Sequence, residues 1–189
     1  IKAGAAQLTL SAANRYSGGT ELRAGTLLVT ADAALSTGSL AVHGGTLQVG
    51  PTIQTVQGLS LTGGAITGTL GGGFVIKSAG ESFVEADVAE SASLAVAVEG
   101  GSAKVGLRKT GVGTLYLSGA STYRGETRVE SGTVHLVAGA VGLDGGTAGA
   151  FGASDGDAVV LAGGSLLPVD VGGNNVVFAG SLTGSGSLS

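Results

Sequence analysis

One long segment occurs twice in this chain. Lys2 to Val29 aligns without a gap with Lys109 to Leu136, and eleven positions hold the same residue type: Lys2, Gly4, Leu8, Leu10, Ser11, Ala13, Tyr16, Gly18, Thr20, Gly25 and Thr26. Repetition constrains the fold strongly, because a repeated unit too small to bury its own apolar side chains must bury them against its neighbours. The differences between the copies show which side faces a core. Leu22 becomes Val129, Leu27 becomes Val134 and Val29 becomes Leu136, whereas Glu21 becomes Arg128 and Arg23 becomes Glu130. Apolar character is kept while charge reverses freely. Leu22 and Val129 therefore face a core and their charged flanks face water, the alternation of a β-strand with one buried face.

A shorter unit recurs inside and outside these blocks: Gly25-Thr26-Leu27-Leu28-Val29, Gly45-Thr46-Leu47-Gln48-Val49, Gly113-Thr114-Leu115-Tyr116-Leu117 and Gly132-Thr133-Val134-His135-Leu136. The steps from Gly25 to Gly45, from Gly113 to Gly132 and from Ala6 to Gly25 are nearly equal. A period of roughly 20 residues made of short strands and glycine corners predicts a β-solenoid. Helices are excluded, since no segment sustains apolar residues at helical spacing and interior glycine costs each helix about 1 kcal/mol. With 38 glycines, 4% aromatic residues and no Trp, Met or Cys, the core must be built from Leu, Val, Ile and Ala in thin layers. At roughly 20 to 25 residues per coil and about 4.8 Å per step, the expected architecture is all-β, about eight or nine coils forming one segment over 1–189 and a rod of about 40 Å.

Composition also removes functions. A net charge of −4 with nine scattered Lys and Arg offers no basic surface for phosphates, so nucleic acid is not a partner. No uncharged run of about 18 apolar residues occurs and the first residues do not read as an export signal, so membrane insertion by this segment is not expected. The lack of Cys removes disulfides, thiol catalysis and Cys-based zinc sites.

The second copy resembles the passenger-associated transport repeat of autotransporters. Lys109-Thr110-Gly111-Val112-Gly113-Thr114-Leu115-Tyr116-Leu117-Ser118-Gly119, then Tyr123-Arg124-Gly125-Glu126-Thr127 and Ser131-Gly132-Thr133-Val134, follow the family pattern almost throughout. The first copy departs from it at Ala6-Gln7 and Ala12. Gly180 to Ser189 looks like the lead-in to a further copy beginning after 189, as in a fragment of a longer array. The resemblance implies a right-handed, single-stranded parallel β-helix. It also implies a passenger exported to the periplasm of a Gram-negative bacterium, threaded through its own outer-membrane β-barrel and folded outside, at the cell surface or secreted.

Residues able to carry chemistry are few. The two histidines, His43 and His135, fall on outward or alternating strand positions in different coils and read as exposed strand residues rather than a metal or base pair. Glu81, Glu85, Asp87 and Glu90 precede Lys104, Arg108 and Lys109 by about one coil; stacking is expected to give a structural charge ladder in preference to a saccharide-processing site. Asp144, Asp155 and Asp157 lie in a Gly- and Ala-rich stretch from 138 to 158, read as a solvated loop without the glycine-rich nonapeptide of calcium-binding β-rolls. Tyr16 and Tyr123 hold equivalent places and read as packed corner rings. No Gly-x-Ser-x-Gly elbow with a plausible His partner exists, and no glycine run has the Lys-Ser or Lys-Thr ending that a phosphate loop needs. No catalytic, metal or cofactor-binding residue is assigned, and no cofactor is expected. The reading is a structural segment that supports passenger folding during translocation and acts as a stalk. The rival is an adhesin or self-association surface toward host glycan, host protein or another cell, with a saccharide-processing enzyme third.

Overall fold

The computed structural model describes residues 1–68, 73–76, 82–99, 105–118, 121, 125–136, 159–161, 163, 165–168 and 182–188. These contain twenty strands, β1 to β20 in chain order, and no helix. The strands form three sheets. Sheet I has nine, in the order β1 (Gln7–Leu10), β3 (Thr26–Val29), β5 (Thr46–Val49), β8 (Gly64–Gly68), β11 (Ser91–Ala95), β14 (Thr114–Leu117), β16 (Thr133–Leu136), β18 (Ser165–Pro168) and β20 (Ser187–Leu188). Sheet II has eight: β2 (Thr20–Leu22), β4 (Leu40–Val42), β7 (Leu59–Leu61), β10 (Ser82–Asp87), β13 (Val105–Thr110), β15 (Thr127–Val129), β17 (Val159–Leu161) and β19 (Leu182–Gly184). Sheet III has three: β6 (Ile53–Val56), β9 (Gly73–Ile76) and β12 (Ala97–Glu99). The chain passes from sheet II to sheet I, then across the third side to the next strand of sheet II. Each pass pairs in parallel with the one before it, as in Gln7–Leu10 on Thr26–Val29 and Thr20–Leu22 on Leu40–Val42. The chain is a parallel β-solenoid.

Parallel pairing in register stacks side chains into columns. On sheet I the inward column runs Leu8, Leu27, Leu47, Ile66, Leu94, Leu117. On sheet II, Leu22, Val42, Leu61, Ala86, Lys109 and Val129 are fully buried and lie one above another. The short strands alternate buried and half-exposed positions, as in Thr26–Val29 and Thr114–Leu117, and each coil contributes one thin apolar layer. Corners need glycine for a steric reason as well as a conformational one. Gly64 has φ 75°, and a Cβ there would stand 2.5 Å from the carbonyl oxygen of Gly45 in the coil beneath.

The coils are unequal in length: nine strands stack in sheet I and eight in sheet II, but they follow no constant period. The register steps from Leu27 to Leu47 and from Leu47 to Ile66 match the short period, but those from Ile66 to Leu94 and from Arg128 to Val160 are much longer. Extra residues enter between strands without disturbing the ladders. The ladder also slips against the repeat: the alignment of the two copies would place Leu115 in the column of Leu8, yet Leu117 occupies it. A slip of two leaves the same face buried, because side chains alternate with period two.

Among the described residues, the third side is strand only in the middle of the rod. In an earlier coil it is closed by residues 31–37, which bury Ala34 and Leu35. Gln54, fully buried on β6, fixes this loop: its Oε1 accepts from Leu35 N at 3.1 Å, and its Nε2 donates to Ala31 O at 2.8 Å and to Thr52 Oγ1 at 3.0 Å.

Replacing Leu47 by Ala removes apolar volume from the centre of a column, and is expected to lower stability by about 3 kcal/mol. Gln48→Ala, next in sequence and facing water, is expected to change it by less than about 0.5 kcal/mol. Urea unfolding followed by circular dichroism measures both, and equal midpoints would contradict the assigned faces.

Candidate functional site

Lys109 lies on β13, where Val105, Leu107 and Lys109 point inward and Arg108 points out. Its side chain is fully buried. The ammonium donates to Thr110 O and, at 2.7 Å, to Gly111 O in its own corner, and at 3.2 Å to Ser131 O in the corner of the following coil. Lys2 repeats the arrangement, donating to Gly4 O and, at 3.0 Å, to Ala24 O. Gly111 and Ser131 are the counterparts of Gly4 and Ala24 in the repeat. Space for each ammonium comes from a glycine in the next coil's corner: a Cβ at Gly25 would sit 2.6 Å from Lys2 Nζ, and one at Gly132 would sit 2.7 Å from Lys109 Nζ. The repeated Lys and Gly are thus two halves of one contact that clamps a coil to its successor.

This corrects the expectation that Lys109 joins an outer charge ladder. The signal was present in the sequence, since Lys is retained in both copies where neighbouring charges reverse, and it shares parity with Leu107. Burial lowers the Lys109 pKa from its ordinary 10.5, while the charge of Asp87 opposes the shift.

The outer face of sheet II does carry a ladder. Arg108 holds Glu130 through two bonds, Nε to Oε1 at 3.0 Å and Nη2 to Oε2 at 3.2 Å, and lies 3.9 Å from Glu85. Arg128, beside Arg108 in register, donates to Glu130 Oε1 at 3.1 Å and Glu126 Oε1 at 3.1 Å. The Arg108 bond, followed by that of Arg128, holds the Glu130 carboxyl below the ordinary range. Asp87 accepts from the Thr110 hydroxyl at 3.1 Å, and Glu90 is exposed. Nearer the first repeat, Arg23 bonds Glu21 at 2.6 Å and lowers its pKa. His43 meets the Thr62 hydroxyl at 2.9 Å and lies 3.4 Å from Glu21. Such half-exposed pairs are screened by solvent and each contributes little to stability.

Sheet I presents a different outer face, uncharged and rich in Ser and Thr. There His135 stacks against Tyr116, ring centroids 4.9 Å apart at 44°. His135 is thus a strand residue of sheet I, whereas His43, expected on a strand, lies in the bend just after β4; the two are not brought together. Tyr16 is partly exposed rather than packed, and its hydroxyl bonds Thr20 Oγ1 at 2.6 Å. Glu81, Lys104, Tyr123, Asp144, Asp155 and Asp157 lie outside the described residues. Among the described residues no three acidic or histidine side chains cluster as metal ligands, and no helix is long and apolar enough to cross a membrane.

Residues 1–29 and 107–136 match the family model of the passenger-associated-transport-repeat. The chain is 31% identical over 180 residues to the adhesin BmaC autotransporter of Brucella suis biovar 1 (strain 1330), an alignment covering 87% of this chain and 5% of that protein. The chain thus spans about one-twentieth of the length of this relative. No solved structure matches.

Lys109→Met keeps most of the buried volume but strands the carbonyls of Thr110, Gly111 and Ser131, with an expected loss of roughly 2 kcal/mol at neutral pH. Because the folded-state pKa lies below the unfolded one, the unfolded chain holds more protons between the lowered value and 10.5. Stability should rise with pH across that interval, and the burial cost of the charge is fully present below it. Urea midpoints taken from neutral pH to pH 10 check this; a rise of the same size in Lys109→Met would show that another group is responsible.

Proposed function

We propose that this chain, an autotransporter passenger segment built on passenger-associated transport repeats, propagates folding of the passenger coil by coil and serves as a stiff stalk. The location is the cell surface or the surroundings of a Gram-negative bacterium, as its similarity to an autotransporter passenger indicates. Its partner in transit is the protein's own outer-membrane β-barrel. The observation that carries the reading is the lysine clamp. Lys109 completes its bonds only when the corner at Ser131 has arrived, so each repeat stays unsatisfied until the next coil lies on it. A chain emerging in order would therefore gain stability at each step in one direction, with parallel pairing making every new coil the template for the next. The role is non-enzymatic: Glu85, Glu126 and Glu130 face Arg108 and Arg128, and the two copies of the repeat keep packing residues rather than a reactive group.

A second reading, favoured by the uncharged outer face of sheet I, is that the segment also carries a binding surface. The relative is named an adhesin, and an adhesin-type role for this chain fits a rod whose sides differ so sharply in chemistry.

The folding role is tested by fusing the chain to an outer-membrane translocator barrel and scoring the protease-resistant surface fraction on whole cells. Val129→Asp and Lys109→Met are expected to cut that fraction several-fold, while Arg128→Gln leaves it unchanged. Equal protease-resistant display of all three would overturn the proposal.

A further inference from the structure

None of the nine strands of sheet I contains Asp, Glu, Lys or Arg, although the adjoining outer face of sheet II is laddered with both signs. Its outward column includes, in register, Thr46, Ala65, Ser93, Tyr116 and His135. The alternation of β14 buries Leu115 and Leu117 and leaves Thr114 and Tyr116 on the outside, half-exposed. The Tyr116 and His135 rings lie against each other at 4.9 Å, giving an aromatic shelf among small hydroxyl-bearing side chains. The coil does not require this shelf. In the first copy of the repeat the same two positions hold Thr9 and Leu28, on strands that pair with the same register, whereas the inward residues and the Lys–Gly clamp are kept.

We infer that the outer face of sheet I around Tyr116 and His135 binds a neutral saccharide. A pyranose ring presents a C–H face that packs on an aromatic side chain and a rim of hydroxyls that both donate and accept. Tyr116 supplies the platform, and the hydroxyls of Ser93 and Thr114 with the His135 imidazole supply partners able to do the same. Lack of charge selects against the alternatives. A carboxylated or sulfated sugar would lose hydration against a face with no Lys or Arg to replace it, and an acidic or basic peptide would meet the same penalty. The flatness of a stacked parallel sheet suits an extended polysaccharide lying across successive coils. The inference rests on the second reading above, that the segment carries a binding surface, and not on the folding role.

The test uses the purified chain in affinity electrophoresis through gels containing neutral polysaccharides (dextran, galactomannan, xyloglucan) or acidic ones (alginate, polygalacturonate). The variants are Tyr116→Thr and His135→Leu, each installing the residue of the first copy, so that circular dichroism and sedimentation should match the parent. At least one neutral polysaccharide is expected to retard the chain, with apparent affinity falling at least tenfold in each variant. No retardation by any neutral polysaccharide, retardation by acidic ones alone, or variants that bind like the parent would each overturn the inference. A sedimentation shift in the parent that the variants abolish, without saccharide retardation, would assign the face to self-association instead. Surface display of the same variants from the translocator fusion should be unchanged; its loss would count against the folding assignment of these positions, separately from the binding result.

Discussion

Parallel backbone pairing between successive coils is the constraint from which the rest of this structure follows. Once Leu27 is paired with Leu47 and Leu22 with Val42, each side chain has its counterpart in the next coil directly above it, about 4.8 Å away. At that spacing the interior accepts columns of Leu, Val, Ile and Ala readily, and bulky rings with difficulty. Phe74 is the large ring among the fully buried side chains of the described residues. The same closeness governs the corners, where backbone meets backbone and a side chain at Gly64 would press on the carbonyl oxygen of Gly45. Corner carbonyls then converge on the interior with few donors to satisfy them, and a buried ammonium is one answer to that need.

The sequence was most legible where chemistry repeats. Retained apolar positions and reversing charges were enough to place Leu22 and Val129 inside and Glu21, Arg23, Arg128 and Glu130 outside, because strand parity needs no knowledge of partners. Coil lengths were less legible, since a spacer changes perimeter without changing parity, as the long step from Ile66 to Leu94 shows. The third side was hidden for another reason: Gln54 acts through Leu35, Ala31 and Thr52, contacts that no periodicity announces. Lys109 departs from the rule that a charged side chain on a strand faces water. Its constancy between the copies outweighed that rule, and the three carbonyls around it explain why.

The two long faces of the rod divide polar chemistry between them. On sheet II, Arg108 and Arg128 share Glu130, and opposite charges stacked by the ladder settle one another. Sheet I has no charges to settle, and its outward positions vary between the copies without consequence for the interior. A solenoid separates these requirements more cleanly than a compact domain does, because an outward residue on a strand has no second layer to fit.

The reach of the clamp across coils bears on how such arrays grow. Lys2 and Gly25 stand in different coils yet within one copy of the repeat, as do Lys109 and Gly132. A duplication that copies the motif therefore copies both halves of the contact and delivers a self-sufficient joint, requiring no matching change in the chain on either side. A duplication of one geometric coil, begun at the lysine, would stop short of the glycine and leave an ammonium with no room. A unit that carries the contact intact is thus longer than the turn it builds.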